Sequence, residues 1–142
     1  MATRITGILE TPVYVDDLAK AYDFYHGFLG LERMIEGDRI HAYDVAAGQV
    51  LIVCLRGASD EDALINGQKV PGHSSYGPSH FAFKIEQDTL SDWTAKVQDA
   101  EVDIESRVTW PLGGQSIYFR DPFNNVVELA TAGVWPNDPI NK

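Results

Sequence analysis

The sequence predicts an α+β fold made of two β-α-β-β-β modules, and three features carry that prediction. Strand-like runs and amphipathic helical runs follow one another in the same order twice. Between the two copies lies an aperiodic segment, about residues 57–77, that is polar and rich in Gly, Ser and Asp. It is longer than a connector inside a compact unit usually needs, and it reads as a linker or a lid. The second copy closes on a hairpin whose last strand, residues 126–130, holds one carboxylate, Glu128, among Val126, Val127, Leu129 and Ala130.

Module one spans about residues 5–56. Residues 5–15 read as its first strand, ended by Asp16 and Asp17, either of which can cap a following helix. On that helix Leu18, Ala21, Tyr22, Tyr25, Phe28 and Leu29 form one stripe, and Gly30 is a stop. Strands follow at 31–36, 40–45 and 50–55, separated by Gly37-Asp38 and Ala47-Gly48. Module two, about residues 78–132, repeats the order. It has a strand at 79–85, a helix at 90–100 with Leu90, Trp93, Val97 and Ala100 on one stripe, a strand at 102–108 and the hairpin, and a tail of residues 133–142 follows. The whole is expected to form a single domain.

Composition narrows the functional classes. With 21 acidic against 11 basic residues the net charge is −10, which argues against the broad positive surface that nucleic acid or an anionic membrane would require. No apolar run approaches the roughly 20 residues that span a bilayer. A single cysteine, Cys54, cannot form an internal disulfide, and the first residues lack the apolar core of a secretory signal. The expectation is a soluble, cytoplasmic protein with a small-molecule partner.

Candidate site residues follow from the repeat. Glu128 is costly to bury unless it is exposed, paired or bound to a cation, and Arg120 across the hairpin is one pairing option. Superposing the modules by their strands sets Glu10 opposite His80, each a few residues ahead of a helix. At the position matching Glu128, module one offers Ile52 or Cys54, depending on how the strand is counted. His41 and Tyr43 share one face of a strand, and Trp110 precedes Pro111-Leu-Gly-Gly114; all three are candidates to line a substrate site. Cys54 reads most simply as a small buried apolar residue.

Tyr14-Val-Asp-Asp-Leu18, Phe24-Tyr25, Leu29-Gly-Leu31, Gly77-Pro-Ser-His-Phe-Ala-Phe83 and Ser116-Ile-Tyr-Phe-Arg-Asp-Pro122 with Glu128-Leu129 together resemble the vicinal oxygen chelate superfamily. That group includes glyoxalase I, fosfomycin-resistance proteins, bleomycin-binding proteins and extradiol dioxygenases. The resemblance implies a cupped mixed sheet, commonly completed by a second subunit, around one divalent metal: Mn, Fe, Ni or Zn. It implies Glu10, His80 and Glu128 as metal ligands, Glu128 as general base with Glu10 second, and Tyr118 as a substrate contact. The function implied is a glyoxalase-like isomerase, lyase or ring-opening enzyme, dimeric, acting on a small oxygen-chelating substrate. One alternative is a metal-free protein that sequesters a cationic drug, as bleomycin-binding relatives do. Others are a fosfomycin-resistance-like or dioxygenase-like member. Pro12 and Asn137 stand where glutathione-using fosfomycin-resistance proteins carry a threonine and a basic residue.

Overall fold

Strand β1 covers Glu10–Val15, and Asp17 caps the helix that follows by accepting the Lys20 N–H at 3.0 Å. In this computed structural model, which describes residues 3–139, β1 is shorter than the apolar run that precedes it suggests. Ile5, Ile8 and Leu9 are exposed, because β4 starts only at Gln49 and beyond the Leu9 carbonyl there is no ladder left to join. Helix α1, Leu18–Tyr22, runs on as a π-helical stretch, Asp23–Phe28, and Gly30 ends it at a φ of +80°. The wider turn brings Phe24, outside the expected stripe, into the core beside Ala21, Tyr25 and Leu29.

Strands β2 (Glu32–Glu36), β3 (Ile40–Ala46) and β4 (Gln49–Leu55) complete a four-stranded mixed sheet in the order β1-β4-β3-β2, with β1 parallel to β4. The segment expected as a structureless linker or lid carries a hairpin of its own, β5 (Ala63–Ile65) and β6 (Gln68–Val70). Asn66 and Gly67, at φ of 52° and 75°, make the tight turn between them. Arg56 ties this segment to the end of β1: its guanidinium donates to Asp16 at 2.9 Å, to the Ser75 carbonyl at 2.6 Å and to the Tyr14 carbonyl at 3.3 Å. The Tyr14 hydroxyl bonds to His73 Nδ1 from the other side.

The second half repeats the topology. β7 (His80–Lys84), α2 (Leu90–Asp99, after one 3₁₀ turn), β8 (Ser106–Thr109), β9 (Gln115–Arg120) and β10 (Val126–Ala130) give a sheet ordered β7-β10-β9-β8, with β7 parallel to β10. The chain thus separates into two units, Met1–Gly77 and Pro78–Lys142. Each has a four-stranded mixed sheet with a helix, and the first also holds the β5–β6 hairpin. In the first unit Val13, Val15, Tyr43, Leu51 and Val53 are buried, and in the second Ile117, Phe119, Val127, Leu129 and Val97. The last three residues of the expected tail lie outside the described residues.

Candidate metal centre

One turn decides how β7 and β10 meet. The Asp121 carboxylate accepts the backbone N–H groups of Phe123 and Asn125 at 2.9 Å each, and the Asn125 amide N–H at 2.9 Å. Asn125, fully buried, accepts the Ser79 N–H at 3.0 Å, while the Val126 N–H donates to the Ser79 carbonyl at 2.8 Å. This clamp sets His80 opposite Val126 and Ala82 opposite Glu128. Side chains alternate, so His80 and Glu128 share a face, the one opposite buried Phe81, Val127 and Leu129. There His80 Nε2 lies 3.3 Å from Glu128 Oε1.

The other polar atom of each side chain is already engaged. His80 Nδ1 lies 3.1 Å from the Val126 carbonyl oxygen. A carbonyl only accepts, so Nδ1 carries the proton and Nε2 of the neutral ring presents a lone pair. On the carboxylate, Oε2 accepts the Ser116 hydroxyl at 2.5 Å, and Ser116 Oγ accepts the Trp110 indole N–H at 2.8 Å. An indole N–H only donates, so the chain runs in one direction, Trp110 to Ser116 to Glu128 Oε2, and the Tyr118 phenol also interacts with this carboxylate. Two acceptors, Nε2 and Oε1, therefore face each other, and only a proton or a cation between them makes that contact favourable. One imidazole nitrogen and one carboxylate oxygen are donors that suit a divalent metal. Glu128 has a side chain only 8% exposed whereas that of His80 is 51% exposed, so the pair is open on the histidine side.

Arg120 does not neutralise this carboxylate. It stands opposite Val126, and its guanidinium grips Glu105 at 2.8 and 3.1 Å. Tyr118 is directly across from Glu128, with its ring 6.0 Å from that of His80. Burial first, then the negative charge of Glu128, holds the Tyr118 phenol above its ordinary pKa, so it stays an O–H donor at neutral pH.

Among the described residues no group of three or more His, Cys, Asp or Glu side chains could hold a metal ion. The structure brings His80 and Glu128 together as a pair. Glu10, exposed, opens β1 opposite Val50 as His80 opens β7 opposite Val126. Counting two residues on from each partner resolves the ambiguity left by the sequence: the counterpart of Glu128 is Ile52, not Cys54. The Cys54 thiol is buried, and desolvation, with the charge of Glu10 second, pushes its pKa up to about 11. It is no nucleophile at neutral pH.

The model of the Glyoxalase/Bleomycin resistance protein/Dioxygenase superfamily matches residues 7–129. The chain belongs to that superfamily. Among curated relatives, the metallothiol transferase FosB of Bacillus licheniformis is 28% identical over 133 residues, covering 93% of this chain and 79% of its own. FosB of Staphylococcus saprophyticus is 30% identical over 119 residues, covering 82% and 71%. Among solved structures, a lactoylglutathione lyase from Agrobacterium tumefaciens superposes with a TM-score of 0.84 at 29% identity, over 94% of this chain and 98% of that one.

Within the superfamily fold the expected substrate contacts divide. Trp110 and Tyr118 line the same cavity as His80 and Glu128. His41 and Tyr43 do not fit the role expected of them. Both face the buried side of their sheet, at 5% and 0% exposure, opposite Val53 and Leu51, and the Tyr43 ring lies 6.1 Å from that of Tyr25 on the helix. Alternation placed them on one face, but nothing in the strand's sequence says which face the helix covers. Ser116 and Asn125 were missed. Their only signals were the shared strand parity of Ser116 and Tyr118 and the density of turn formers after Asp121.

Proposed function

We propose that this protein is a glyoxalase-like, divalent-metal-dependent enzyme acting on a small substrate that offers neighbouring oxygens, and that it works as a homodimer. The observation that carries this reading is the facing pair, His80 Nε2 and Glu128 Oε1 at 3.3 Å, each side chain locked by a bond to its other polar atom. His80, Glu128 and Glu10 would hold the metal. Glu10 is supported by its equivalence to His80 in the repeat, and it would come from the same chain or from the partner subunit. Bound, the metal supplies Lewis-acid stabilisation of negative charge on substrate oxygens.

The remaining work falls to the chain's own groups. Ser116 fixes Oε2 of Glu128, so Oε1 would take a substrate proton next to the chelating oxygens only once a chelating substrate has displaced it from the metal, with Glu10 second in that role. The Tyr118 hydroxyl donates a hydrogen bond to the oxygen on which charge develops. The FosB relatives favour a second reading at the level of the reaction, transfer of a thiol to an electrophilic substrate at the same metal. Pro12 and Asn137 bear against its fosfomycin form.

Metal analysis of protein purified without chelator tests the proposal. The expected result is one Mn, Fe, Ni or Zn per Glu128, lost in Glu128→Ala. Isomerisation of the methylglyoxal–glutathione hemithioacetal, set against thiol addition to fosfomycin, separates the two reactions. Metal-free protein that nonetheless binds a cationic aromatic drug would sink both and leave a binding protein.

A further inference from the structure

The face that carries His80 continues beyond it. Along β7 the side chains of His80, Ala82 and Lys84 succeed one another on that face, and along β10 Glu128 and Ala130 do the same. The paired small residues leave room above the sheet. A cavity of about 400 Å³ occupies it, within the size range of small-molecule sites. His80 and Glu128, Lys84, and two indoles, Trp110 and Trp135, all line this cavity. Lys84 stands four residues from His80, about 13 Å of strand.

The indoles are differently held. Trp110 is anchored through its N–H to Ser116. Trp135 sits on the tail, which is docked where Gly114 donates to the Gly133 carbonyl at 3.1 Å and is bent back by the Gly133 N–H on Asp138 at 2.8 Å. It remains 70% exposed, a large apolar surface facing solvent at the cavity. Lys84 makes no ion pair among the described residues. It is also the one Lys or Arg among the residues lining this cavity, in a chain whose net charge is −10.

We propose that the substrate of this site carries two features beyond its oxygen-chelating head: a flat apolar body, most simply one aromatic ring, and an anionic group at the far end. The head meets His80 and Glu128, the ring lies over Ala82 and Ala130 against the indoles, and the anion pairs with Lys84. For the head this rests on the metal reading above; the ring and the anion rest on the cavity alone. At the Lys84 end a cationic group would meet the Lys84 ammonium, and Asp138, the carboxylate that lines the cavity besides Glu128, already accepts the Gly133 N–H at 2.8 Å.

The test titrates benzohydroxamate and its para-carboxymethyl derivative into the full-length protein, Mn²⁺-loaded and metal-stripped, following tryptophan emission. The carboxylated probe is expected to bind about three- to fivefold tighter than its parent in both forms, the worth of a partly exposed ion pair. Lys84→Met should abolish that difference and leave the parent unchanged. Trp135→Ala should weaken both probes about tenfold, in the range of lost contact with one aromatic face. Equal binding of the two probes, or a difference that survives Lys84→Met, overturns the proposal. Should Mn²⁺ strengthen neither probe while the Lys84-dependent difference persists, the metal reading fails and this inference stands.

Discussion

Ser116 shows how much a single hydroxyl controls here. It is buried, its Oγ accepts the Trp110 indole N–H and its own hydroxyl proton goes to Glu128. Ser116→Ala would leave Oε2 without its donor and free the carboxylate to turn, so metal affinity is expected to fall about tenfold by calorimetric titration. Ser116→Thr, which keeps the hydroxyl, should restore most of it. Tyr43 is a contrasting case, since it has no surface to offer a substrate. Tyr43→Ala should lower unfolding free energy by about 3–5 kcal/mol in urea, while metal binding by the folded fraction is unchanged. Cys54 adds a pH signature. Its folded pKa of about 11 exceeds its ordinary 9.0, so the stability it contributes is fully present below pH 9 and is lost as pH rises toward 11. Tyr43, raised to about 12 from 10.0, extends the loss further. Denaturant midpoints measured across that range should decline, and Cys54→Ala should remove the part between pH 9 and 11.

At the scale of elements, the turn after Asp121 does more than reverse the chain. Through Asn125 it sets the start of β7, and with it the position of His80. Asn125→Ala is expected to cost about 2–3 kcal/mol, since it orphans the Ser79 N–H and part of the Asp121 carboxylate, and to weaken metal binding as well. The strands and helices were legible because their apolar periods are strong, and Gly30 marked the end of α1. Where the sequence misled, a tertiary fact intervened. Residues 5–8 have strand composition but, among the described residues, no ladder partner. The π turn in α1 rotated Phe24 inward. The Asn66-Gly67 pair was a readable hairpin signal that the polar composition around it obscured. The tail depends on close backbone approach: a Cβ on Gly114 would lie 2.7 Å from the Gly133 carbonyl carbon. Gly114→Ala should therefore undock the tail and expose Trp135 further, seen as a red shift in its emission.

At the scale of the whole molecule, the repeat makes the site intelligible. Each unit offers two equivalent positions on the same pair of strands, Glu10 and Ile52 in one, His80 and Glu128 in the other. Three of the four can bind a cation. The sequence singled out those three as ligand candidates, through the repeat and the family resemblance. It could not reveal the hydrogen bonds that aim Nε2 and Oε1 at each other, since those depend on register. Whether Glu10 acts within one chain or across a dimer is a question for mixed subunits. If it acts across, the purified heterodimer of Glu10→Ala and Glu128→Ala chains should hold about half a site per chain and each homodimer none, and metal content reads this directly. The account as a whole depends on an ion held by His80 and Glu128, and anomalous diffraction from a crystal soaked in Mn²⁺ tests that most directly. The expected result is one strong peak bonded to both His80 Nε2 and Glu128 Oε1, with Ser116 still on Oε2. A peak elsewhere, or none, with the histidine and the carboxylate still in direct contact, would contradict it.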